Sequence, residues 1–91
     1  EEISRITLPA GESLEVHRLE AALKGGGTDS NVVVELFDQT NTTLLASVTG
    51  GSQTAGDPIA TSGTGATIVI RVSTPSSGTP AFAFNGDTRV V

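Results

Sequence analysis

Ninety-one residues make one small core, and the absence of cysteine, methionine, tryptophan and tyrosine removes a disulfide staple, a thiolate nucleophile and a Cys-rich zinc site. Ten acidic against five basic residues give a net charge of −5. The basic residues Arg5, Arg18, Lys24, Arg71 and Arg89 are scattered, so no surface for nucleic-acid phosphates or anionic lipid can be read, and neither nucleic acid nor membrane is expected as a partner. An acidic chain with a single lysine also suits a high-salt environment.

No run approaches the roughly 20 apolar residues that span a bilayer, and Glu1-Glu2-Ile3-Ser4-Arg5 lacks a secretion-signal pattern. An initiator methionine is normally trimmed ahead of a small residue, which Glu1 is not. The single domain over 1–91 is therefore expected to be processed or to belong to a longer chain.

In chain order, Ile3–Leu8 is the first strand, closed by Pro9-Ala10-Gly11. Ser13–Lys24 is ambiguous: Leu-Glu-Ala-Ala-Leu-Lys has high helix propensity, and the glycines at 25–27 suit a helix end. Read as a strand, Leu14 and Val16 share one phase and Leu19, Ala21 and Leu23 the next, which requires a one-residue bulge near His17-Arg18. The all-β surroundings favour the strand. Asn31–Asp38 and Ala66–Ser73 are dense in β-branched residues and make the strongest strands. Thr42–Val48 and a weaker Pro58–Thr61 lie between them; Pro80–Asn85 and Asp87–Val91 follow. Gly/Ser/Thr-rich loops are expected over 25–30, 49–57, 62–65 and 74–79. The pattern predicts an all-β antiparallel β-sandwich of seven or eight strands, of jelly-roll or Greek-key type.

Raw material for chemistry is thin. His17 has no oriented partner in sequence and no Gly-x-Ser-x-Gly elbow is present, so no catalytic residue is assigned and an enzyme is not expected. Asp29, Asn31, Asp57 and Asp87 fall in predicted loops and could offer oxygens to calcium, but turn-forming roles explain them as well, so no metal or cofactor is assigned. Asn41-Thr42-Thr43 is an acceptor triplet for N-glycosylation at Asn41, set in a predicted hairpin turn that the same asparagine would serve.

Two resemblances can be stated. Thr28-Asp29, the strand ending at Asp38, and Gly65-Ala66-Thr67-Ile68-Val69-Ile70-Arg71-Val72 are similar to the pattern of pre-peptidase C-terminal β-sandwich domains, with Phe82 and Phe84 matching its aromatic last strands only in part. That likeness implies an extracellular accessory module that binds glycan or assists an attached secreted enzyme. Across nearly the whole chain, the Thr-rich, Lys-poor, Cys-free usage resembles small β-rich structural proteins of tailed viruses of haloarchaea. This second likeness implies a virion component such as a capsid decoration, turret or tail protein, working by assembly and not by chemistry.

The strong strands carry apolar residues on both faces, and a sandwich core needs only one. Val33, Phe37 and Val69 are therefore expected on an outer face and, with Val90 and Val91, are the predicted partner-contact residues. Self-association or contact with other virion proteins is expected; a small-molecule ligand is not.

Overall fold

The computed structural model describes residues 2–24, 32–50, 53–72 and 79–91, the side chains at 22–24 and 79–81 excepted. Seven strands form two antiparallel sheets: β1 (Glu2–Thr7), β2 (Glu12–Lys24), β3 (Val33–Asp38), β4 (Thr43–Thr49), β5 (Gln53–Thr61), β6 (Thr67–Val72) and β7 (Thr79–Val90). One sheet has the order β1-β6-β3-β4 and the other β5-β2-β7. Only β3 and β4 are neighbours both in sequence and in a sheet. Every other connection crosses between sheets or passes over a strand, which makes the connectivity Greek-key-like.

Alternation explains the core. Val34 and Leu36 of β3 and Ile68, Ile70 and Val72 of β6 point inward against Leu14, Val16, Leu19 and Ala21 of β2, all of them buried. The expected bulge is present: the pairing of β2 with both β5 and β7 shifts between Val16 and Arg18. That extra residue moves Leu19 and Ala21 onto the face of Leu14 and Val16. Continuous burial of an inward stripe along β2 decides the local competition in favour of strand over helix.

Two expected boundaries need correction. Thr79–Val90 is one strand and not two, because Gly86 stays in register opposite Val16 while the bulge lies on β2. A Cβ at Gly86 would lie 2.7 Å from Phe84 Cζ, so the Phe84 ring lies across the glycine and fills its place. The weak Pro58–Thr61 segment is the end of a longer strand. Gln53–Ala55 pair with β2 beyond an excursion at 56–59, where Pro58 interrupts the ladder. Residues 53–57 thus leave the predicted loop, and the predicted loops at 25–30 and 74–78 lie outside the described residues.

One end of the sandwich is organised by Asp38, which is 1% exposed. Its Oδ1 accepts from the Asn41 N–H at 3.0 Å; its Oδ2 accepts from Asn41 Nδ2 at 2.8 Å and from the Gly63 N–H at 3.1 Å. Ser62 beside it accepts from the Leu14 N–H through Oγ at 2.8 Å, and the Ser62 N–H returns a bond to the Leu14 carbonyl at 2.8 Å. The turn after β3, the loop before β6 and strand β2 are thereby joined. Gly65 closes that loop with φ +62° and lies against Ala10, a conformation that an L side chain would strain.

Burial alone would raise the Asp38 carboxyl pKa. The bonds from the Asn41 side chain and from the backbone N–H groups of Asn41, Gly63 and Thr40 outweigh it and hold the pKa below the usual carboxylate value. The unfolded chain therefore binds this proton at higher pH than the folded one. The stabilisation is complete above the unfolded pKa and is lost as pH falls through the folded one. Asp38→Ala strands several N–H groups and should cost about 2–4 kcal/mol in urea denaturation at neutral pH. Asp38→Asn should flatten the acid limb of stability, between about pH 5 and pH 2, relative to the parent.

Candidate functional site

The outer face of the four-stranded sheet carries a row that crosses all four strands. Register sets Arg5 opposite Val69, Val69 opposite Phe37 and Phe37 opposite Leu44. Beside it, Glu35 pairs with Arg71 across β3 and β6, with Arg71 Nη2 3.4 Å from Glu35 Oε1. The Arg71 guanidinium also lies over the Phe37 ring, 3.9 Å from its centroid, so a cation covers the one aromatic ring on this face. Arg71 Nε is buried there without a hydrogen-bond partner.

The five predicted contact residues fall in two places. Val33, Phe37 and Val69 share the outer face of the four-stranded sheet, whereas Val90 and Val91 stand at the end of β7 in the other sheet, each 80% exposed. Val69 is only 2% exposed although it lies outside the central core cluster, so it supports this face from beneath and has little surface to offer. Val33 and Phe37 are half-buried. The accessible apolar member of the row is Leu44, at 48% exposed, which sequence reasoning missed. Its signal was the adjacent pair Leu44-Leu45. A register shift after Leu36 turns Leu44 to the Phe37 side, while Leu45 packs against the core.

The outer face of the three-stranded sheet is polar. Arg89 Nη1 lies 3.1 Å from Glu15 Oε2, and Arg18 pairs with Glu20 and donates to Gln53 Oε1 at 3.1 Å. With Arg5 Nη2 2.8 Å from Glu2 Oε1, each of the four arginines pairs with a glutamate of its own sheet. His17, expected to lack an oriented partner, has two: Nδ1 is 3.4 Å from Asp57 Oδ1 and Nε2 is 3.4 Å from Asp87 Oδ2. The bulge brings this about by setting His17 between the excursion of β5 and the middle of β7. The two carboxylates face opposite ring nitrogens, so the three groups do not converge on one point.

Among the described residues no group of three or more His, Asp or Glu could hold a metal ion. Of the four calcium candidates, Asp57 and Asp87 lie in strands and not in loops, while Asp29 and Asn31 fall outside the described residues. At the acceptor triplet, Asn41 Nδ2 is turned inward to Asp38, and a Cβ at Gly63 would collide with it. The amide serves the turn. Thr43 Oγ1 contributes only a bond to the Asn41 carbonyl, at 3.0 Å.

In comparison with known proteins, no family model matches the chain, and neither a curated protein nor a solved structure matches it significantly. The class that the strands define is a small all-β protein, a four-plus-three antiparallel sandwich.

The two residues of the triplet should separate in unglycosylated protein. Asn41→Ala should lose about 1–3 kcal/mol, because buried Asp38 loses its Asn41 Nδ2 donor while the backbone N–H remains, whereas Thr43→Ala should lose no more than about 1 kcal/mol. Equal losses in urea denaturation would assign the turn no special use of the Asn41 amide.

Proposed function

We propose that this protein is a non-enzymatic structural module that works through protein–protein contacts, and that its setting is a virion, as a capsid decoration, turret or tail component. The observation that carries the contact reading is the outer row of the four-stranded sheet: Leu44 exposed beside Phe37, with Val69 packed beneath and charged residues at the flank. A solvated outer sheet face has no need of such a row. The virion setting is supported by the resemblance in residue usage.

Glycan binding by an extracellular module is the weaker reading. Sugar sites use open aromatic faces, but Phe82 and Phe84 pack against the core and Phe37 carries Arg71.

The test is incorporation. Particles purified from cells producing the chain should contain it, and Leu44→Asp should lower its copy number per particle about tenfold, the equivalent of about 1.4 kcal/mol of contact energy. The isolated variant should keep the parent's thermal midpoint, since Leu44 contributes nothing to the buried core. Recovery of the chain only outside particles would overturn the virion setting. Unchanged incorporation of Leu44→Asp would overturn the contact face.

A further inference from the structure

β7 presents the longest free sheet edge among the described residues, 12 residues against 9 in β5, 7 in β4 and 6 in β1. The other three edge strands are themselves interrupted, by an extra residue in β1 and in β4 and by the excursion at 56–59 in β5, whereas the shift in the pairing of β7 lies on β2 and leaves β7 continuous. The phase of β7 can be fixed from its hydrogen bonds. The Val91 N–H donates to the Gly11 carbonyl at 2.9 Å, toward β2. Leu14 and Glu12, opposite Thr88 and Val90, spend backbone groups in the other direction, on Ser62 and Gly65. The alternation of an antiparallel ladder then turns the N–H and C=O groups of Gly86, Thr88 and Val90 outward, away from β2. Pro80, in the same outward phase, has no N–H to offer and confines further pairing to the C-terminal half of the strand.

We propose that β7 pairs with β7 of a second copy of this chain, antiparallel about a two-fold axis at Thr88, so that Asp87 of each copy faces Arg89 of the other. This rests on the assembly reading, names one of its partners, and uses an edge separate from the Leu44 face. The charges select the register. An axis at Asp87 sets carboxylate against carboxylate and one at Arg89 sets guanidinium against guanidinium, while one at Gly86 pairs neither charge with an opposite. Only the axis at Thr88 gives two opposite-charge pairs, and it also matches the outward backbone phase. The other face of the strand fits the same register. Val90, 80% exposed, falls opposite Gly86 of the second copy, where the Phe84 ring lies across the glycine. A C2 pairing of this kind closes on itself and hides an edge that a monomer leaves open.

The chain has no cysteine, so Thr88→Cys supplies the only thiol, placed on the proposed axis. A hydrogen-bonded antiparallel pair sets Cα atoms about 5.5 Å apart, within the reach of a disulfide. Oxidised T88C should yield covalent dimer much faster than S47C, whose exposed site lies on β4 of the other sheet. In sedimentation velocity the parent chain should show concentration-dependent dimer, D87R and R89D should each be monomeric, and the combined D87R/R89D should dimerise again. A parent that stays monomeric up to millimolar concentration, equal cross-linking of T88C and S47C, or no recovery in a folded D87R/R89D chain would each overturn the pairing. If Leu44→Asp still lowers incorporation while the β7 dimer is missing, the edge pairing alone fails; a β7 dimer with incorporation indifferent to Leu44 removes the outer-face reading instead.

Discussion

The sandwich depends on a buried anion. Asp38 ends β3 with its side chain withdrawn from water, and a carboxylate in that position is tolerated only while donors surround it. The donors come from the turn that follows and from the loop that precedes β6. Fixing them sets the start of β4 and the start of β6 at once. Ser62, the next residue back along the same loop, carries the constraint to β2 in the opposite sheet. A chain without cysteine thus uses one ionised group to hold the two sheets at a common end.

The two outer faces differ in kind. On the three-stranded sheet, charges alternate in sign along β2 and β7, and His17 sits between two carboxylates at the β2 bulge. Such a face is well satisfied by its own partners and by water. On the four-stranded sheet the Glu35–Arg71 pair lies beside the apolar row, and Arg71 covers Phe37 as a cap made from the chain's own side chain. The cap is partial, since its Nε is left without an acceptor and Leu44 stays uncovered. The asymmetry between these faces, more than any single residue, separates contact surface from solvated surface.

Much of the fold was legible in the residues because period-two alternation is a local signal. β3 and β6 declare themselves by Val, Ile and Leu at alternate positions, and the phase change in β2 announced its bulge. What was not legible depended on register. The continuity of β7 through Gly86 follows from a bulge on its neighbour, and the early start of β5 follows from pairing beyond an interruption that Pro58 disguises. Val69, expected on an outer face, is buried, and Leu44, not singled out, is exposed, for the same reason: a central strand covers its own outward residues, while a register shift near the sheet edge bares one. The two carboxylates beside His17 come from residues 40 and 70 positions further along the chain, a distance at which sequence pattern is silent.

The crossing connections also carry a kinetic consequence. With β3 and β4 as the only sequence-adjacent pair, the remaining ladders join distant parts of the chain, as when Glu12 meets Val90 or Glu2 meets Arg71. Loop closure entropy must be met before those contacts return anything, so folding belongs to the slow, non-local class typical of β-sandwiches. Until they pair, β2 and β7, the two longest strands, are open to pairing between molecules. The rate at which this chain reaches its native state is therefore coupled to its concentration in a way that a local, helical topology of equal size would avoid.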